Sequence, residues 1–324
     1  MQNYLTTIQN CTDMGSDIKS DSRSRILVTG GSGQLGSELK RLLGTNPSIF
    51  YTDVNELDIT KREAVERFLL DNDIEIVINC AAYTAVDKAE DEETAAGKVN
   101  ASAPRNLADS AIAVWRAGAS AKGGPLIIHI STDYVFDGKS NRPYTEDFPT
   151  APASAYGRTK LEGEQALINS GCNYIILRTS WLYSAFGSNF VKTILRLTGE
   201  RDSLDVVFDQ VGTPTFAGDL ATVICKVLTK WELSTDKERR DLCGIYNFSN
   251  EGVCSWYDFA KEIVKRGGNS CKINPVTSDK FITKAVRPAY SVLDKRKIKE
   301  TFGLVIRHWM EPLDDEKFWK NIQI

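Results

Sequence analysis

The chain of 324 residues is long enough for one large α/β unit or two modest domains with a sizeable core. Its hydrophobic content of 42% and charged content of 26% are those of an ordinary soluble globular protein, and the formal net charge of -3 comes from many mixed charges. This balance excludes the clustered basic surface of a nucleic-acid-binding protein, and without a run of about 18 apolar residues we expect no membrane span.

Seven cysteines are scattered along the chain in an odd number and without C-x-x-C spacing. This pattern argues against both a disulfide framework and a zinc site, and it indicates a reducing compartment. We therefore expect a cytoplasmic protein. The only histidines are His129 and His308, so we expect neither a histidine-based metal site nor a Ser-His-Asp triad.

Residues 1–24 are polar, rich in Ser, Thr and Asp, and without periodicity. They lack the apolar core of a signal peptide. We predict that they form a disordered extension that carries no information about the fold.

Short apolar segments alternate with segments of helical periodicity over residues 25–180. The apolar segments are continuous rather than alternating, which is typical of parallel strands covered on both faces. They are RILVT (25–29), IFYT (49–52), IVINC (76–80), LIIHI (126–130) and YIILRT (174–179). We predict an α/β fold with a Rossmann-type doubly wound parallel sheet, and we assign residues 25–180 to an NAD(P)-binding core.

The alternation weakens after residue 180. NFVKTILRLTGE, FAGDLATVICKVLTKWEL and SWYDFAKEIVKRGG predict helices, whereas LDVVFD and GIYNFSN predict short strands. In the third of these helices Ser255 is the predicted N-cap, and Asp258 completes an approximate capping box. We predict a smaller, mixed α/β substrate-binding lobe over residues 181–324, with some return of the chain to the core.

The first predicted strand runs directly into the glycine-rich segment TGGSGQLGSELK. Gly30, Gly33 and Gly36 have the spacing of a dinucleotide-binding turn, which needs a tight bend and close backbone approach to a pyrophosphate. The helix that follows offers unpaired N–H groups and a positive dipole end to the phosphates. We predict that Gly30, Gly33, Gln34, Leu35 and Gly36 bind the cofactor.

An acidic residue, Asp53, ends the second predicted strand, where it can accept hydrogen bonds from the adenosine ribose hydroxyls. No Arg or Lys lies between Asp53 and Lys61 to neutralise a 2′-phosphate. The downstream Asp58 and Ile59 are placed to flank the adenine ring. We expect NADH or NADPH as the cofactor, with NADH favoured.

Two tyrosine–lysine pairs have the same helical spacing, Tyr156 with Lys160 and Tyr257 with Lys261. Residues four apart share a helix face. A lysine ammonium at this spacing would lower the pKa of the tyrosine, about 10 when free, and favour proton exchange with a carbonyl oxygen. Only Tyr156 follows a strand whose carboxyl end, STDYVF, should line a ligand crevice. We predict that Tyr156 and Lys160 are catalytic, and that the later pair forms the core and the surface of its helix.

The glycine loop, NCAAYTAVDKAE, STDYVF and YGRTK together resemble the extended short-chain dehydrogenase/reductase family. Within that family VDKAE, RTSWLYSAFGSNFVKTILRL, DQVGTPT and a late Arg-Pro pair are similar to the dTDP-4-dehydrorhamnose reductases. The resemblance covers roughly residues 25–320. It implies NAD(P)H-dependent reduction of the C4 keto group of dTDP-4-dehydro-6-deoxy-L-mannose (dTDP-4-dehydrorhamnose) to dTDP-L-rhamnose, for surface polysaccharide.

The same resemblance implies roles for individual residues. Tyr156 is the implied proton donor, and Lys160 is its partner and a ligand of the nicotinamide ribose. Thr132 is the implied hydroxyl beside the sugar carbonyl, with a one-residue ambiguity because Ser131 precedes it. The implied cofactor-lining residues are Ala82, Tyr83 and Thr84. The implied substrate contacts are Thr132, Asp133, Tyr134, Trp181, Asn189, Gln210 and Arg287. The arginine among them is suited to a pyrophosphate.

Two alternative functions stay open. One is another nucleotide-sugar reductase or epimerase that acts on a different 4-keto sugar. The other is a non-catalytic regulatory subunit, because the regulatory β subunit of methionine adenosyltransferase resembles these reductases. SWLY, GSNFVKT and DQVGTPT argue against the regulatory subunit, since they match the reductases.

The resemblance also bears on partners and metals. Some family members form dimers around a magnesium ion held by glutamates, so a homodimer and Mg²⁺ are compatible with it. No motif here is diagnostic for a metal, and we interpret the acidic run from Glu90 to Glu93 as a solvated helix face.

Overall fold

The computed structural model describes residues 24–118 and 124–322. The predicted N-terminal extension, apart from Ser24, therefore lies outside the described residues. The strands are β1 (Arg25–Thr29), β2 (Ile49–Thr52), β3 (Ile74–Asn79), β4 (Leu126–Thr132), β5 (Asn173–Thr179), β6 (Leu182–Tyr183), β7 (Ser203–Val207), β8 (Val211–Gly212), β9 (Thr215–Phe216), β10 (Gly244–Asn247), β11 (Cys254–Ser255) and β12 (Lys272–Val276). The α-helices are α1 (Gln34–Leu43), α2 (Arg62–Asp71), α3 (Val86–Ala89), α4 (Glu93–Gly97), α5 (Ala103–Arg116), α6 (Ala155–Ile168), α7 (Phe190–Glu200), α8 (Ala217–Leu233), α9 (Asp236–Leu242), α10 (Trp256–Gly267), α11 (Arg296–Phe302) and α12 (Glu316–Asn321). A single π-helical turn, Lys98–Ser102, joins α4 to α5.

A six-stranded sheet in the order β2-β1-β3-β4-β5-β10 lies at the centre of the molecule. Each neighbouring pair runs parallel. Because parallel strands need crossover connections, helices cover both faces, and this explains why the strands are apolar throughout. The predicted α/β fold with a doubly wound parallel sheet is confirmed.

The two faces of the sheet have separate hydrophobic cores. On one face, apolar side chains of β1, β3, β4 and β5 pack against α1, α8 and α11. On the other face, the alternate side chains of the same strands pack against α2, α5 and the end of α6. Successive strand side chains point to opposite faces, so each strand contributes to both cores.

The remaining elements form a smaller lobe with its own core. Helices α7 and α10 pack against the parallel pair β7–β12, and α12 closes the cluster. The lobe also contains the two-stranded pairs β8–β11 and β6–β9. The chain leaves this lobe to add β10, α8, α9 and α11 to the central sheet, so the two parts are interwoven.

The sequence patterns of the C-terminal part predicted some of its helices, strands and caps correctly and missed others. The capping box is confirmed: the Ser255 hydroxyl accepts from the Asp258 amide, and the Asp258 carboxylate accepts from the Ser255 amide. LDVVFD does form a strand, but its partner β12 was not predicted, because Pro275 interrupts a short segment of mixed polarity. Helices α9 and α11 were missed as well, since seven residues are too few for a clear period.

No helix in the part of the chain that the structure describes is long and apolar enough to cross a membrane.

Two glycines allow α6 to lie against its neighbours at backbone distance. A Cβ added at Gly157 would overlap the Tyr134 carbonyl oxygen, and one added at Gly163 would overlap the Asn100 carbonyl oxygen in the π turn. Neither obstacle is the movable end of a side chain. The packing of α6 on Tyr134 and on the π turn therefore depends on these two missing side chains.

We predict that Gly163→Ala lowers the free energy of unfolding by about 1–3 kcal/mol or more, because the helix must move away from the π turn. Gly199→Ala is the matched control: it also lies in a helix, and a Cβ there meets only open space. That variant should be neutral or stabilised by up to about 1 kcal/mol. Denaturant unfolding measures both, and equal midpoints for the two variants would contradict the proposed close packing.

Candidate active site

The glycine loop has the backbone geometry of an anion cradle. Gly30 adopts a φ of +66°, and a Cβ there would lie 2.9 Å from the Ala81 amide nitrogen. A Cβ at Gly36 would overlap the Gly30 carbonyl oxygen. Gly33 is the N-cap of α1, which has no side-chain cap and no acidic residue in its first turn. Its first N–H groups are thus left for a negatively charged ligand, which fits a dinucleotide pyrophosphate.

The next two loop residues face in different directions. Leu35 is buried and packs in the core of the sheet. Gln34 packs against Gly187, and its side-chain oxygen is buried without a hydrogen-bond donor among the described residues. An unpaired buried acceptor at the mouth of the loop is consistent with a ligand that completes the site.

Two carboxylates lie just after β2, where we predict that the ribose of the cofactor binds. The Asp53 carboxylate accepts a hydrogen bond of 3.0 Å from the Ser32 amide, which ties the end of β2 to the glycine loop. The Glu56 carboxylate accepts one of 2.9 Å from the Asp53 amide. Two negative groups at this position suit ribose hydroxyls and disfavour a 2′-phosphate.

The segment after Asp53 is held by its own contacts. Hydrogen bonds from Thr60 are the main cause of a lowered pKa of Asp58, which also pairs with Lys61 at 3.3 Å. The Ile59 side chain is buried in the sheet core. Their contact with adenine stays a prediction.

The end of β4 resolves which hydroxyl faces the tyrosine. Ser131 is buried and donates to the Glu164 carboxylate on α6. Thr132 is the N-cap of the short turn Asp133–Val135; its hydroxyl accepts from the Tyr134 amide at 3.2 Å and donates to the Asp133 carboxylate at 3.0 Å. Adjacent strand residues point to opposite sides, and Thr132 is the one bonded to Tyr134, the residue on which the Tyr156 ring packs.

Tyr156 lies in the first turn of α6. Ser154 caps this helix by accepting from the Gly157 amide at 3.1 Å. The Tyr156 ring packs edge to face on Tyr134, with ring centroids 5.5 Å apart. These contacts hold the phenol beside Thr132 at the carboxyl edge of the sheet.

The expected lowering of the Tyr156 pKa is wrong. Burial raises the pKa of Tyr156 well above its usual 10, the charges of Asp133 and Tyr134 raise it further, and only the neighbouring Thr132 hydroxyl acts to lower it. Desolvation of the phenolate therefore determines the direction of the shift. A raised pKa keeps the phenol protonated, as a proton donor requires.

The Lys160 side chain is turned into the interior. It is 1% exposed, and its Nζ donates to the Ile130 carbonyl at 2.6 Å and lies 3.3 Å from His129 Nε2. Burial lowers the pKa of Lys160 to about 8, although Glu164 and Cys80 act to raise it. Lys160 is therefore an amine that changes charge close to neutral pH.

Residues Ala82–Thr84, which are predicted to line the cofactor, follow β3 and are tied to the π turn. The Asn100 side chain accepts from the Tyr83 amide at 2.9 Å and donates to the Tyr83 carbonyl and the Thr159 hydroxyl. The Tyr83 hydroxyl donates to Glu92 at 2.8 Å. Asn100 thus joins this segment to α6, a role with no signal in the sequence.

An ion pair lies beside the cluster formed by Tyr134 and Tyr156. Arg287 pairs with Asp87 and donates to the Tyr134 hydroxyl at 3.1 Å. Nearby, the Ala285 amide donates to the Asp87 carboxylate at 3.1 Å. The structure therefore brings Arg287 to the tyrosine cluster, with an acidic partner that sequence reasoning missed although VDKAE contains it.

The other predicted substrate residues have contacts of their own. Trp181 has a φ of +47° and stacks on Trp256, with ring centroids 3.6 Å apart. Gln210 donates to the Ser278 hydroxyl at 3.0 Å. Asn189 is the N-cap of α7, and its amide also donates to the Ser184 carbonyl at 2.7 Å. Their substrate contacts stay predictions.

The second tyrosine–lysine pair has a different setting. Tyr257 is partly buried against the core of the smaller lobe, and Lys261 is exposed with its Nζ 5.9 Å from the centre of the Tyr257 ring. This pair lies on α10, away from the end of β4.

The acidic run after VDKAE is engaged with its neighbours. The Glu90 carboxylate accepts from the Ala155 amide at the start of α6, and Glu93 pairs with Arg158. Within residues 24–118 and 124–322, no three His, Cys, Asp or Glu side chains are grouped so that they could hold a metal ion.

Comparisons with known proteins agree with this geometry. The family model described as RmlD substrate binding domain matches residues 24–318. The chain is 39% identical over 308 residues to a dTDP-4-dehydrorhamnose reductase of Aggregatibacter actinomycetemcomitans, covering 93% of this chain and 98% of that protein. It is 40% identical over 291 residues to a probable dTDP-4,6-dihydroxy-2-methyloxan-3-one 4-ketoreductase of Streptomyces antibioticus, covering 89% and 93%.

A solved structure is similar over the same length. The crystal structure of dTDP-4-dehydrorhamnose reductase from Bacillus anthracis in complex with NADP superimposes with a TM-score of 0.81 at 37% identity, covering 92% of this chain and 99% of that one.

The buried carboxyl of Asp133 gives a prediction about stability. Burial raises the pKa of Asp133 to about 7, although the hydrogen bond from the Thr132 hydroxyl acts to lower it. An acid with a raised pKa in the folded state stabilises the fold at low pH, and this contribution is lost as pH rises towards 7. Relative to Asp133→Asn, the wild type should lose about 2–3 kcal/mol of unfolding free energy between pH 5 and pH 8. Denaturant unfolding at both pH values checks this, and a difference independent of pH would contradict it.

Proposed function

Because the chain belongs to the RmlD substrate binding domain family, we propose that it is an NAD(P)H-dependent reductase of a nucleotide-linked 4-keto sugar. The substrate that we propose is dTDP-4-dehydro-6-deoxy-L-mannose (dTDP-4-dehydrorhamnose), whose C4 keto group is reduced to give dTDP-L-rhamnose. The relatives that carry this name cover nearly the whole chain.

One observation carries the proposal. Tyr156, whose ring packs on that of Tyr134, and Thr132, whose hydroxyl accepts from the Tyr134 amide, lie together at the carboxyl end of β4, on the same edge of the sheet as the glycine loop after β1. In a doubly wound sheet this edge is where a dinucleotide and its reaction partner bind. Two hydroxyls beside such a cleft can hold one carbonyl oxygen from two directions.

The proposed chemistry needs a proton donor and a polarising group. A reduced nicotinamide supplies a hydride when it is bound. Tyr156 then donates its proton to the oxygen that becomes the C4 hydroxyl, and its raised pKa favours the protonated phenol before the reaction. The Thr132 hydroxyl orients the carbonyl oxygen towards Tyr156 and stabilises the negative charge that develops there.

Lys160 supplies positive charge beneath this pair. With its pKa near 8, the ammonium form dominates at neutral pH and can offset the phenolate that Tyr156 leaves behind. Because the charge is lost above that pH, we expect the reductase rate to fall on the alkaline side.

On the substrate side, we propose that Arg287 binds the nucleotide diphosphate. Its planar guanidinium matches phosphate oxygens, and it lies next to the Tyr134 hydroxyl in the cleft. Asp87 holds it there in the absence of substrate. The stacked pair of Trp181 and Trp256 offers an aromatic surface to the rest of the substrate.

Another 4-keto sugar is the second candidate substrate. The Streptomyces antibioticus relative, named for a different dTDP-linked ketone, is as similar to this chain as the rhamnose-pathway relative. The residues around Thr132 and Tyr156 act on the keto group, which both sugars share, so they support either substrate.

We also propose that the protein is cytoplasmic, and we propose that it forms a homodimer. Six cysteines of the described residues are free thiols, a state that a reducing compartment preserves.

The direct test supplies the 4-keto-rhamnose nucleotide, made by the preceding enzymes, and follows NADH and NADPH oxidation by absorbance. We expect turnover with the wild type and a fall in kcat of about 10²–10⁴-fold for Tyr156→Phe, because the proton donor is lost. Tyr257→Phe, the matched control with the same helical spacing, should retain the wild-type rate. Turnover with a different 4-keto sugar alone would move the proposal to the second candidate, and none with either sugar would refute it.

Because Asp53 and Glu56 lie at the predicted ribose site, we expect the enzyme to prefer NADH over NADPH. We expect kcat/KM to be about tenfold or more higher with NADH than with NADPH, since unfavourable charge contacts of about 1.4 kcal/mol suffice for this ratio. Asp53→Asn removes one charge but keeps an acceptor for the Ser32 amide, so it should narrow the preference. A wild type that prefers NADPH, with a ratio unchanged in the variant, would contradict the role of Asp53.

A further inference from the structure

A row of buried polar side chains runs across the sheet beneath the candidate active site. Thr29, Asn79 and His129 are paired in register on β1, β3 and β4, so their side chains lie side by side on one face. Lys160 on α6 reaches down to the end of this row. All four side chains are at most 1% exposed, although polar groups at such depth are costly unless hydrogen-bonded.

The hydrogen bonds of the row have a direction. The Thr29 hydroxyl donates to Asn79 Oδ1 at 2.7 Å, so the Asn79 amide turns its Nδ2 towards His129. Asn79 Nδ2 lies 3.0 Å from His129 Nδ1. With the amide in this orientation Nδ1 must accept, and an uncharged imidazole then carries its proton on Nε2. That Nε2–H faces Lys160 Nζ at 3.3 Å.

A proton on His129 Nε2 has a consequence for Lys160. A neutral amine has one lone pair and can accept from Nε2–H while it donates to the Ile130 carbonyl. An ammonium has no lone pair, and it would direct a proton at another proton. The row therefore favours the amine over the ammonium.

The other charged groups around the lysine do not determine its state alone. Glu164 lies one turn further along α6, but it is paired with Arg178 of β5 at 2.7 Å and accepts from Ser131 of β4. Cys80, after β3, is a thiol whose pKa burial raises to about 12. On the cleft side of Lys160 lies Tyr156, and Asp133 and Tyr134 lie next to that tyrosine. Burial and Lys160 hold the pKa of His129 well below 6.5, so its ring is uncharged.

We propose that His129 is a positioning residue for Lys160: Thr29 and Asn79 fix its imidazole as the Nε2–H form, which holds the lysine nitrogen in place and favours its uncharged amine. This inference rests on the proposed function, because it explains how the lysine of the reductase pair is held. It assigns to Thr29, which points away from the cleft into the row, an influence on the pH dependence of the reaction.

The first test determines which ring nitrogen of His129 carries the proton. The chain has only two histidines, His129 and His308, so the full-length protein labelled with ¹⁵N-histidine gives two sets of ring signals, and His308→Asn assigns them. We expect His129 Nδ1 to be the lone-pair nitrogen and Nε2 to carry the proton at neutral pH. The Nε2 signal should shift as Lys160 titrates near pH 8. A proton on Nδ1, or a charged ring at pH 6, would overturn the proposal.

The second test breaks the row without touching the cleft. Thr29→Val keeps the branched shape but removes the hydroxyl that orients Asn79, whereas Thr29→Ser keeps the hydroxyl. In Thr29→Val the His129 imidazole should lose its preference for the Nε2–H form. The pKa that limits kcat/KM on the alkaline side should rise by about half to one pH unit, which corresponds to the free energy of one hydrogen bond. Thr29→Ser should behave as the wild type, and identical pH limbs for the two variants would refute the inference.

The two tests separate this inference from the proposed function. The spectrum of the cofactor-free protein needs no turnover, so a chain that reduces no sugar would still show which ring nitrogen of His129 carries the proton. If Thr29→Val does not fold, the wild-type spectrum alone still supports or overturns the assignment.

Discussion

The burial of Lys160 is the constraint on which the site depends. An amine that is 1% exposed must find its partners inside the protein, and it has the Ile130 carbonyl and His129. Both come from β4, so α6 has to lie close to that strand. Missing side chains at Gly157 and Gly163 make this approach possible, because backbone oxygens occupy the space of a Cβ.

The same helix position determines the geometry above the lysine. With α6 held against β4, its first turn brings Tyr156 to the Thr132 hydroxyl and to the edge of the Tyr134 ring. The cleft then contains a phenol that burial keeps protonated and, one turn below, an amine that burial brings close to its titration point. Desolvation shifts the two groups in the directions that suit a donor and an adjustable cation.

The sequence was sufficient for features that depend on neighbouring residues. The glycine spacing, the five apolar strands and the Ser255 cap are local patterns, and each appears in the structure. Context along the chain also separated Tyr156 from Tyr257 despite their equal spacing. The His129–Asn79 and Asn100–Thr159 contacts join residues 50 and 59 positions apart, and no local pattern reports them. The pKa of Tyr156 was predicted in the wrong direction because desolvation depends on how the finished fold covers the ring.

Hydride transfer to the sugar C4 is the central claim, and an isotope label on the hydride tests it most directly. The 4-keto-rhamnose nucleotide is reduced with NADH that carries deuterium at both hydrogen positions of the nicotinamide C4, and the product is examined by mass spectrometry and NMR. The account predicts dTDP-L-rhamnose with one deuterium at sugar C4, because the hydride arrives at the carbon whose oxygen Tyr156 protonates. Deuterium at another carbon, or a product without deuterium, would contradict it.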